Sequence, residues 1–352
     1  MDPERCLVSI VIPMRNEERY IRACLNSILA NDVPHHRYEI LVVDGDSTDR
    51  SREVVAQMQN EYPQIQLLRN KAGTVPPAMN IGIRAARGKY ILRMDAHSEY
   101  PSDYIGNCIE ELERTGAENV GGRLITKPGA DSFVAKAIAY LTQNSIAVGN
   151  SKYRTGGAGR YVDTVPFGAF RREVFDRVGL FREDLTRHQD FEFNARLRHA
   201  GGKIFLSPRI YLTYYNVPTF AKFVRQAYLN GIWCARAWTR YPVCFCWRHA
   251  APLVFAAGLL GALALGAMAK LFLWLALFGL VVYVAAASAA GVQIASKNGL
   301  RYLFITPPLM FSYHLVYGAS TIAGFFGVAV ERLSLLKGRA SESVSGSQTD
   351  SA

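Results

Sequence analysis

Two side chains able to bind a divalent ion stand two residues apart after an apolar run, in the segment 90–99, YILRMDAHSE. Residues 90–94 have the length and mostly apolar character of a buried strand. Asp95 follows with a hard oxygen ligand, and His97 offers a nitrogen ligand. Because ligands of open α/β sheets bind at the carboxyl ends of strands, this pair could hold an ion that also contacts a diphosphate. Asp-x-His after a strand is also common as loop capping or polar surface, so the neighbouring segments have to decide.

Two earlier strands end in polar turns of the same kind. The apolar run 6–12, CLVSIVI, leads into Pro13 and the turn 14–18, and the run 38–43, YEILVV, leads into the acidic turn 44–49. Helical segments separate these strands, and the β-α-β-α-β-α-β alternation predicts a mostly parallel sheet with helices on both faces. Such turns gather along one edge of a sheet. Carboxylates are poor direct partners of phosphate, so we expect contacts to a base, a ribose hydroxyl or a bridging metal.

A further carboxylate that could do chemistry is Asp190. It lies in the segment 188–192, HQDFE, at the start of a helix predicted over 190–200. A carboxylate at such a place can take the proton of an acceptor hydroxyl as a general base. It can equally cap the helix, and the two roles are compatible.

Apolar residues are concentrated near the carboxyl end of the chain. Half of the 352 residues are hydrophobic, yet 250–330 is almost free of charge whereas 1–240 reads as a soluble α/β domain. Three membrane spans are predicted, over 250–269, 271–295 and about 303–330, the last interrupted by Pro307 and Pro308. The predicted division is 1–217 for the α/β domain, 218–249 for amphipathic interface helices, 250–331 for the membrane region and 338–352 for a disordered tail.

The segment before the spans mixes aromatic and basic residues. Phe223 and Trp233 share the predicted helix 220–240 with Lys222 and Arg225, as in helices that lie in the membrane interface. Packing into a protein core explains the same pattern equally well. No signal peptide is expected before the first strand, so the α/β domain should stay in the cytoplasm of a multi-pass protein of the inner or plasma membrane. Three spans would place the tail outside, whereas basic residues such as Arg332 favour inside.

The charge and the cysteines exclude several classes of protein. The formal net charge is +11, but the basic residues form no tract, so an anionic membrane and a diphosphate substrate explain it better than nucleic acid. None of the six cysteines forms a C-x-x-C pair, which argues against a disulfide framework or a zinc site. No G-x-G-x-x-G follows the first strand, which disfavours a dinucleotide-dependent oxidoreductase.

Together these segments resemble a known family. Five stretches, SIVIPMRNE (9–17), VVDGDSTD (42–49), AMNIG (78–82), MDAH (94–97) and QDFE (189–192), look like the ordered motifs of glycosyltransferase family 2. The resemblance covers about residues 6–240. The stretch RMDAH (93–97) and the predicted spans look most like membrane-anchored transferases of succinoglycan-type exopolysaccharide assembly. The resemblance implies a GT-A fold, which is Rossmann-like, and a nucleotide-sugar substrate, with a UDP-sugar as the family-weighted expectation.

The resemblance also implies roles for individual residues. Asp190 would be the catalytic base, and Asp95 with His97 would bind Mn²⁺ or Mg²⁺ across the diphosphate. The nucleotide sugar would contact Pro13, Arg15, Glu17, Asp44 (on the base), Asp46, Lys71, Asn80 and Asp95. Candidates on the acceptor side are Gly168, Gln189, Arg225 and Trp233.

The chain departs from the family pattern at two positions and in one motif. His97 replaces a second Asp, which tilts the choice of metal toward Mn²⁺, and Gln189 replaces a Glu. The Gln-x-x-Arg-Trp motif of processive synthases is not intact in 225–233. With so few spans, this favours transfer of one sugar onto a polyprenyl diphosphate-linked acceptor at the membrane. A processive polysaccharide synthase and a non-catalytic sugar-nucleotide-binding membrane protein remain the alternatives.

Overall fold

A computed structural model describes residues 6–149 and 151–346 of the chain. Within these residues, nine strands form one mixed sheet. The strands are β1 (Val8–Met14), β2 (Tyr38–Asp44), β3 (Ile65–Arg69), β4 (Tyr90–Arg93), β5 (Ser98–Glu99), β6 (Asn119–Lys127), β7 (Arg160–Tyr161), β8 (Ala169–Arg171) and β9 (Ile204–Tyr215). They are ordered β3-β2-β1-β4-β8-β6-β9-β5, with β7 paired to β9.

The first four strands are parallel, as the sequence predicts. β1 lies between β2 and β4, with Ile12 beside Val42 and Val11 beside Arg93. The three polar turns that follow these strands therefore stand next to one another at the carboxyl edge of the sheet. β1 and β2 are buried along their whole length, which explains their unbroken apolar sequence.

The second half of the sheet differs from the prediction in detail. The sequence of 162–170 is strand-like, but β8 is short and runs antiparallel to β4 and β6. Pro166 has no amide hydrogen for a sheet ladder, which accounts for the loop before β8. The apolar residues of 203–206 predict a short final strand, but β9 is longer. The chain crosses Pro208 with a register shift opposite Gly121 and Arg123 and then pairs again with β6.

Helices cover both faces of the sheet and enclose one apolar core on each face. Helices of this part of the chain are α1 (Ile21–Leu29), α2 (Ser51–Glu61), α3 (Val75–Ala85), α4 (Tyr104–Thr115), α5 (Phe133–Leu141), α6 (Lys152–Thr155), α7 (Glu173–Val178) and α8 (Gln189–His199). α1, α2 and α4 pack on one face, and α3, α7 and α8 pack on the other. Along β1, Ile10 and Ile12 point to the first core and Val11 to the second, as a strand buried on both sides requires.

Four helices follow the sheet: α9 (Phe220–Arg240), α10 (Trp247–Leu265), α11 (Lys270–Asn298) and α12 (Arg301–Gly346). Three helices in the described part of the chain are long and apolar enough to cross a membrane, namely α10, α11 and residues 301–332 of α12. Large apolar side chains face outward on them; Trp274 is 67% exposed and Phe278 69% exposed. A contiguous apolar surface of this kind is unfavourable in water and suits a lipid environment.

The expected interruption of the last helix is wrong. Pro307 and Pro308 lie inside α12 and do not interrupt it; prolines are tolerated within membrane helices when neighbouring groups satisfy the freed carbonyls. α12 continues to Gly346 and so enters the segment 338–352, for which disorder stays a prediction. Once a helix has begun, each added residue gains a hydrogen bond, and no proline stands between 309 and 346. Residues 347–352 lie outside the described residues.

The α/β domain and the C-terminal helices share an apolar core. Ile138 and Leu141 of α5 pack with Phe223 of α9, Ile294 of α11 and Met310 of α12. α9 also lies directly against α12, since a Cβ added at residue 231, a glycine, would come within 2.0 Å of the Ser320 hydroxyl. The carboxyl edge of the sheet is thereby held beside the helices that could enter a membrane.

Candidate active site

One large cavity connects the sheet edge to the C-terminal helices. Its volume is about 990 Å³. At one end it is lined by Pro13, Arg15, Glu17, Asp95 and His97, which we call the sheet end. At the other it is lined by residues of α10, α11 and α12, including Phe255, Tyr283, Met310 and His314, which we call the helix end. Asp190 and Gln189 line the same cavity at the start of α8.

The polar turns meet at the sheet end, as their positions after neighbouring strands predict. The Asn16 amide donates to the Ser47 hydroxyl at 2.9 Å, and the Thr48 amide donates to the Asn16 side-chain oxygen at 2.8 Å. The turn after β4 joins them through His97, whose Nδ1 lies 3.1 Å from Glu17 Oε1. His97 Nε2 lies 3.6 Å from Asp95 Oδ2. An imidazole between two carboxylates thus forms this wall of the cavity.

These carboxylates determine the charge of His97. Burial disfavours the charged imidazole, but the hydrogen bond with Glu17 and the charge of Asp95 outweigh it and raise the pKa of His97 to about 9. A metal ion needs the neutral imidazole, so binding there would displace a proton.

The side chains at the sheet end suit a metal that arrives with a diphosphate. Among the described residues, no group of three or more His, Cys, Asp and Glu side chains could hold an ion alone. Asp95 and His97 provide two ligands, and Mg²⁺ and similar ions commonly combine one or two protein ligands with phosphate oxygens. The donor set therefore fits a metal bound jointly by protein and substrate.

Asp190 is held by a buried arginine from the central sheet. Arg93, at the end of β4, is 5% exposed, and its Nη1 donates a hydrogen bond to Asp190 Oδ1. Burial raises the pKa of Asp190 above its ordinary value, and the positive charge of Arg93 opposes this rise without cancelling it. A carboxylate with a raised pKa is a better proton acceptor than an ordinary aspartate.

The backbone around Asp190 is constrained. His188, which precedes α8, has φ of 62°, and Phe167, whose ring centre lies 5.3 Å from the Arg93 guanidinium, has φ of 47°. Left-handed backbone is uncommon for such residues and costs on the order of 1–3 kcal/mol, so it persists only where the surroundings enforce it. For His188 the surroundings include α9, since its Nε2 lies 3.1 Å from the Asn230 carbonyl oxygen. The start of α8 is therefore fixed rather than free to rotate.

The other acidic residue at the start of α8 is engaged elsewhere. Glu192 is fully buried and forms an ion pair with Arg196 one turn further along α8. Asp190 instead lines the cavity with its side chain 31% exposed. On α8, Asp190 is thus the carboxylate that a substrate in the cavity could reach.

Four residues predicted to contact the nucleotide sugar lie around the cavity without lining it. Asp44 is 1% exposed, with both oxygens 3.3 Å from the Ser47 amide. Asp46 pairs with Arg69 at 3.0 Å, and Lys71 is exposed. Asn80 is buried and donates to the Phe181 carbonyl and to Glu183, which ties α3 to the loop before α8. The wall beside them is formed by Gly45, Asn70, Gly73 and Thr74.

Of the predicted acceptor-side residues, Gln189 lines the cavity and three do not. Gly168 accepts a hydrogen bond from the Arg93 amide at 3.1 Å, and a Cβ there would come within 2.1 Å of Asn119 Oδ1, so the position needs glycine. Arg225 is exposed on α9, and Trp233 stacks under Arg236. α9 instead presents Phe223, Gln226 and Asn230 to the cavity, at the spacing of one helical face.

No sequence motif assigns a separate role to the basic residues at the helix end. Arg154, Arg187 and Arg248 line the cavity there, beside His249. Arg248 and His249 lie at the start of α10. Two polar residues at the start of an apolar segment could have indicated a functional position. Arg154 and Arg187 lie in loops and a short helix, where no periodicity distinguishes them.

The Arg93–Asp190 contact makes the effect of Arg93 on the pKa of Asp190 testable. In an Arg93→Met variant the opposing positive charge is gone, so the pKa of Asp190 should rise further. If Asp190 acts as the base in its ionised form, the acidic limb of a kcat/KM profile should then move to higher pH. Arg93→Lys keeps the charge and should move it less. An unchanged limb in both variants, measured on protein with wild-type donor binding, would show that Arg93 does not tune the base.

Comparison with known proteins identifies the family of the chain. Residues 9–179 match the model of glycosyl transferase family 2. The chain is 29% identical over 312 residues to the succinoglycan biosynthesis protein ExoA of Rhizobium meliloti (strain 1021), covering 88% of this chain and 92% of that protein. It is 32% identical over 232 residues to dolichyl N-acetyl-alpha-D-glucosaminyl phosphate 3-beta-D-2,3-diacetamido-2,3-dideoxy-beta-D-glucuronosyltransferase of Methanococcus voltae, covering 64% of this chain and 71% of that protein.

Solved structures share the fold at low sequence identity. The mannosyltransferase PcManGT from Pyrobaculum calidifontis, solved with GDP-Man and Mn²⁺, matches with a TM-score of 0.57 and 19% identity, over 89% of this chain and 87% of that one. S. aureus TarS 1–349, solved with UDP-GlcNAc, matches with a TM-score of 0.50 and 16% identity, over 88% and 90%. The fold is thus the GT-A fold that the sequence motifs implied. The chain belongs to glycosyltransferase family 2, and it is a glycosyltransferase.

Proposed function

We propose that this glycosyltransferase moves one sugar from a nucleotide sugar to a lipid-linked acceptor at a membrane, with inversion at the anomeric carbon. One observation carries the proposal. A single cavity runs from Asp95 and His97 past Asp190 to the walls of α10, α11 and α12. A substrate with a nucleotide at one end and a substrate with a lipid at the other can therefore meet at Asp190.

The chemical step needs one base, and Asp190 is positioned to be it. The Asp190 carboxylate takes the proton of the acceptor hydroxyl while that oxygen forms a bond to the anomeric carbon of the sugar donor. The bond from that carbon to the diphosphate breaks, and its electron pair leaves with the nucleoside diphosphate. Attack opposite the leaving group inverts the configuration. Arg93 holds the carboxylate in place, and Gln189 adds a polar group beside it.

At the sheet end, the protein would hold the sugar donor. Arg15 extends across this end, with Nη1 donating to the Gly73 carbonyl at 3.0 Å, and Pro13 and Glu17 complete the wall for the nucleoside. Asp95 and His97 would hold Mn²⁺ or Mg²⁺, which when bound neutralises charge on the departing diphosphate. Asp44, Asp46, Lys71 and Asn80 remain predicted contacts or supports of this end.

The relatives support the lipid-linked acceptor and the place in glycan synthesis. One is named for succinoglycan biosynthesis, and another for transfer onto a dolichyl-phosphate-linked sugar. A structural neighbour was solved with Mn²⁺ and GDP-Man and a second with UDP-GlcNAc. We propose a role in exopolysaccharide or other cell-surface glycan synthesis, with a UDP-sugar as the first sugar donor to test.

The C-terminal helices would hold the enzyme at the membrane. α10, α11 and α12 would cross the inner or plasma membrane, with the α/β domain in the cytoplasm, where nucleotide sugars are made. α9 would lie at the interface, with Lys222 and Arg225 exposed toward anionic lipid.

The proposal is tested by the product. Purified full-length protein in nanodiscs is incubated with a radiolabelled nucleotide sugar, Mn²⁺ and a lipid extract, and the organic phase is resolved by chain length. Label in one lipid-linked species, longer by a single sugar, supports the proposal. A ladder of products would instead indicate a processive synthase. Donor binding without any transfer, in an extract that serves another family 2 transferase, would indicate a binding protein.

The imidazole ligand gives a separate prediction about the metal. His97→Asp restores an all-oxygen ligand pair, and oxygen ligands favour Mg²⁺ relative to Mn²⁺. We expect the ratio of activity with Mn²⁺ to activity with Mg²⁺ to fall, and Mn²⁺ affinity measured by electron paramagnetic resonance to weaken. The exposed His36 provides a matched control in His36→Asp. Equal ratios in the His97→Asp and wild-type proteins would mean that His97 is not a ligand.

A further inference from the structure

Three arginines, Arg154, Arg187 and Arg248, line the cavity that Asp190 shares with the helix end. Arg187 stands three residues before Asp190, and its Nη1 donates to Asn230 Oδ1 at 2.9 Å. Asn230 in turn donates to the Tyr313 hydroxyl of α12 at 3.1 Å. Arg187 is therefore held between the start of α8 and a helix of the membrane region.

Arg248 approaches the same place from the head of α10. Its guanidinium lies 4.9 Å from the ring centre of Phe191, the residue after Asp190, and its Nη1 pairs with Asp163 at 3.1 Å. The second terminal nitrogen, Nη2, is buried and has no hydrogen-bond partner among the residues that the structure describes. Nη1 of Arg248 is thus held by Asp163, and Nη2 can donate a hydrogen bond to a ligand.

Arg154 completes the group. It lies in α6 with its guanidinium 5.5 Å from the ring centre of Tyr153. Its Nη1 is also buried, with no hydrogen-bond partner in the described part of the chain. Arg154 and Arg248 both act electrostatically on Tyr153, and Arg154 and Arg187 both act on Tyr313, so the three cations share one neighbourhood.

The described residues do not balance the charge of this neighbourhood. Within the described residues, Asp163 is the carboxylate that forms an ion pair with any of the three arginines. Leaving a buried donor unsatisfied costs about 1–3 kcal/mol, and more for a charged group. Two such donors and an excess of positive charge in a cavity wall point to an anionic ligand. Guanidinium groups suit phosphate in particular, because they offer paired donors in one plane.

The position of the arginines in the cavity indicates which phosphate they would bind. The diphosphate of the sugar donor belongs at the sheet end, with Asp95 and His97. The acceptor hydroxyl must reach Asp190, so the remainder of the acceptor extends to the other side, toward Arg187 and Arg248. There the cavity wall becomes apolar, with Phe255, Ala286 and Met310. A phosphate next to an apolar wall is the chemistry of a phosphorylated lipid.

Resting on the proposed function, we infer that Arg154, Arg187 and Arg248 bind the phosphate or diphosphate that joins the acceptor sugar to its lipid. They would place the acceptor hydroxyl at Asp190 by holding the lipid anchor at the membrane surface. The requirement for a lipid-linked acceptor would then reside in these arginines as well as in the membrane helices.

The test measures binding and needs no turnover. Full-length protein in detergent is titrated with farnesyl diphosphate, farnesyl monophosphate, farnesol and inorganic pyrophosphate, and separately with nucleotide sugar. In the wild type we expect both farnesyl phosphates to bind more tightly than farnesol or pyrophosphate. Arg248→Gln and Arg154→Gln should each weaken farnesyl diphosphate binding about tenfold or more, the size of a lost hydrogen bond to a charged group. Affinity for the nucleotide sugar should stay the same.

Two further variants guard against misfolding and general charge effects. Arg248→Lys keeps the charge and should retain part of the affinity. Arg198→Gln removes an exposed arginine from the far end of α8 and should change nothing. The inference is overturned if both glutamine variants bind farnesyl diphosphate like the wild type, if farnesol binding falls equally, or if nucleotide-sugar binding falls instead. If these arginines bind the lipid phosphate but no sugar is transferred, the inference stands and the proposed function fails.

Discussion

Asp190→Asn should abolish sugar transfer while leaving the sugar donor bound. The amide cannot accept the hydroxyl proton, and a positioned general base contributes about 10²–10⁴-fold in rate. We expect kcat to fall by that factor, with the dissociation constant for the nucleotide sugar unchanged, because Asp190 pairs with Arg93, whereas Arg15 contacts Gly73 and Glu17 contacts His97. Nucleoside diphosphate release under saturating sugar donor measures kcat, and calorimetric titration measures the dissociation constant.

The controls for this variant follow from its contacts. Arg93 loses its charged partner in Asp190→Asn, and breaking a buried ion pair costs about 3 kcal/mol or more, so the melting temperature has to be measured alongside. Asp176→Asn, on the exposed side of α7, is a matched change that should be silent. If Asp190→Asn retains a tenth or more of the wild-type rate, the base lies elsewhere, and this assignment is wrong.

Loss of the metal should have an effect of comparable size. Chelation with EDTA should reduce nucleoside diphosphate release to background, because a bound ion supplies several kcal/mol of charge stabilisation on the leaving group. Asp95→Asn should lower activity about 100-fold or more at limiting Mn²⁺ and recover partly at high Mn²⁺. The recovery separates a lost ligand from a collapsed site.

The matched control is Asp32→Asn, an exposed aspartate outside the cavity. Mn²⁺ binding in the presence of nucleoside diphosphate should weaken in Asp95→Asn and stay unchanged in Asp32→Asn. Full activity of the wild type after exhaustive chelation, with no metal left by elemental measurement, would contradict a metal-dependent reaction.

The sequence predicts the sheet end of the site well because that end depends on local order. Buried strands followed by polar turns read directly from the chain, and parallel strands bring their carboxyl ends together. Glu17 and His97 are 80 residues apart yet lie within 3.1 Å, as this reasoning expects. The spacing of the motifs does not predict which turn residues face the cavity. Asp44 is buried beside the Ser47 amide, whereas Gly45 lines the cavity wall.

The helix end could not be predicted in the same way. The Arg93–Asp190 contact joins residues that are 97 positions apart in the chain. The chain between them forms β8, which pairs antiparallel with β4, and local sequence patterns do not predict this pairing. On α9, the amphipathic pattern left open which side faces the substrate, and the answer depends on its packing against α12. Gln226 and Asn230 line the cavity where Arg225 and Trp233 were expected. Long-range packing, not residue type, decides these positions.

The most direct test of the whole account is nucleoside diphosphate release from a panel of nucleotide sugars. It uses purified protein in nanodiscs with Mn²⁺ or EDTA, with or without lipid extract, and compares wild type with Asp190→Asn. We predict release from a nucleotide sugar that requires both metal and extract and is absent from the variant. Tight donor binding with no release from any member of the panel, or equal release by the variant, would contradict a lipid-dependent transferase that uses Asp190.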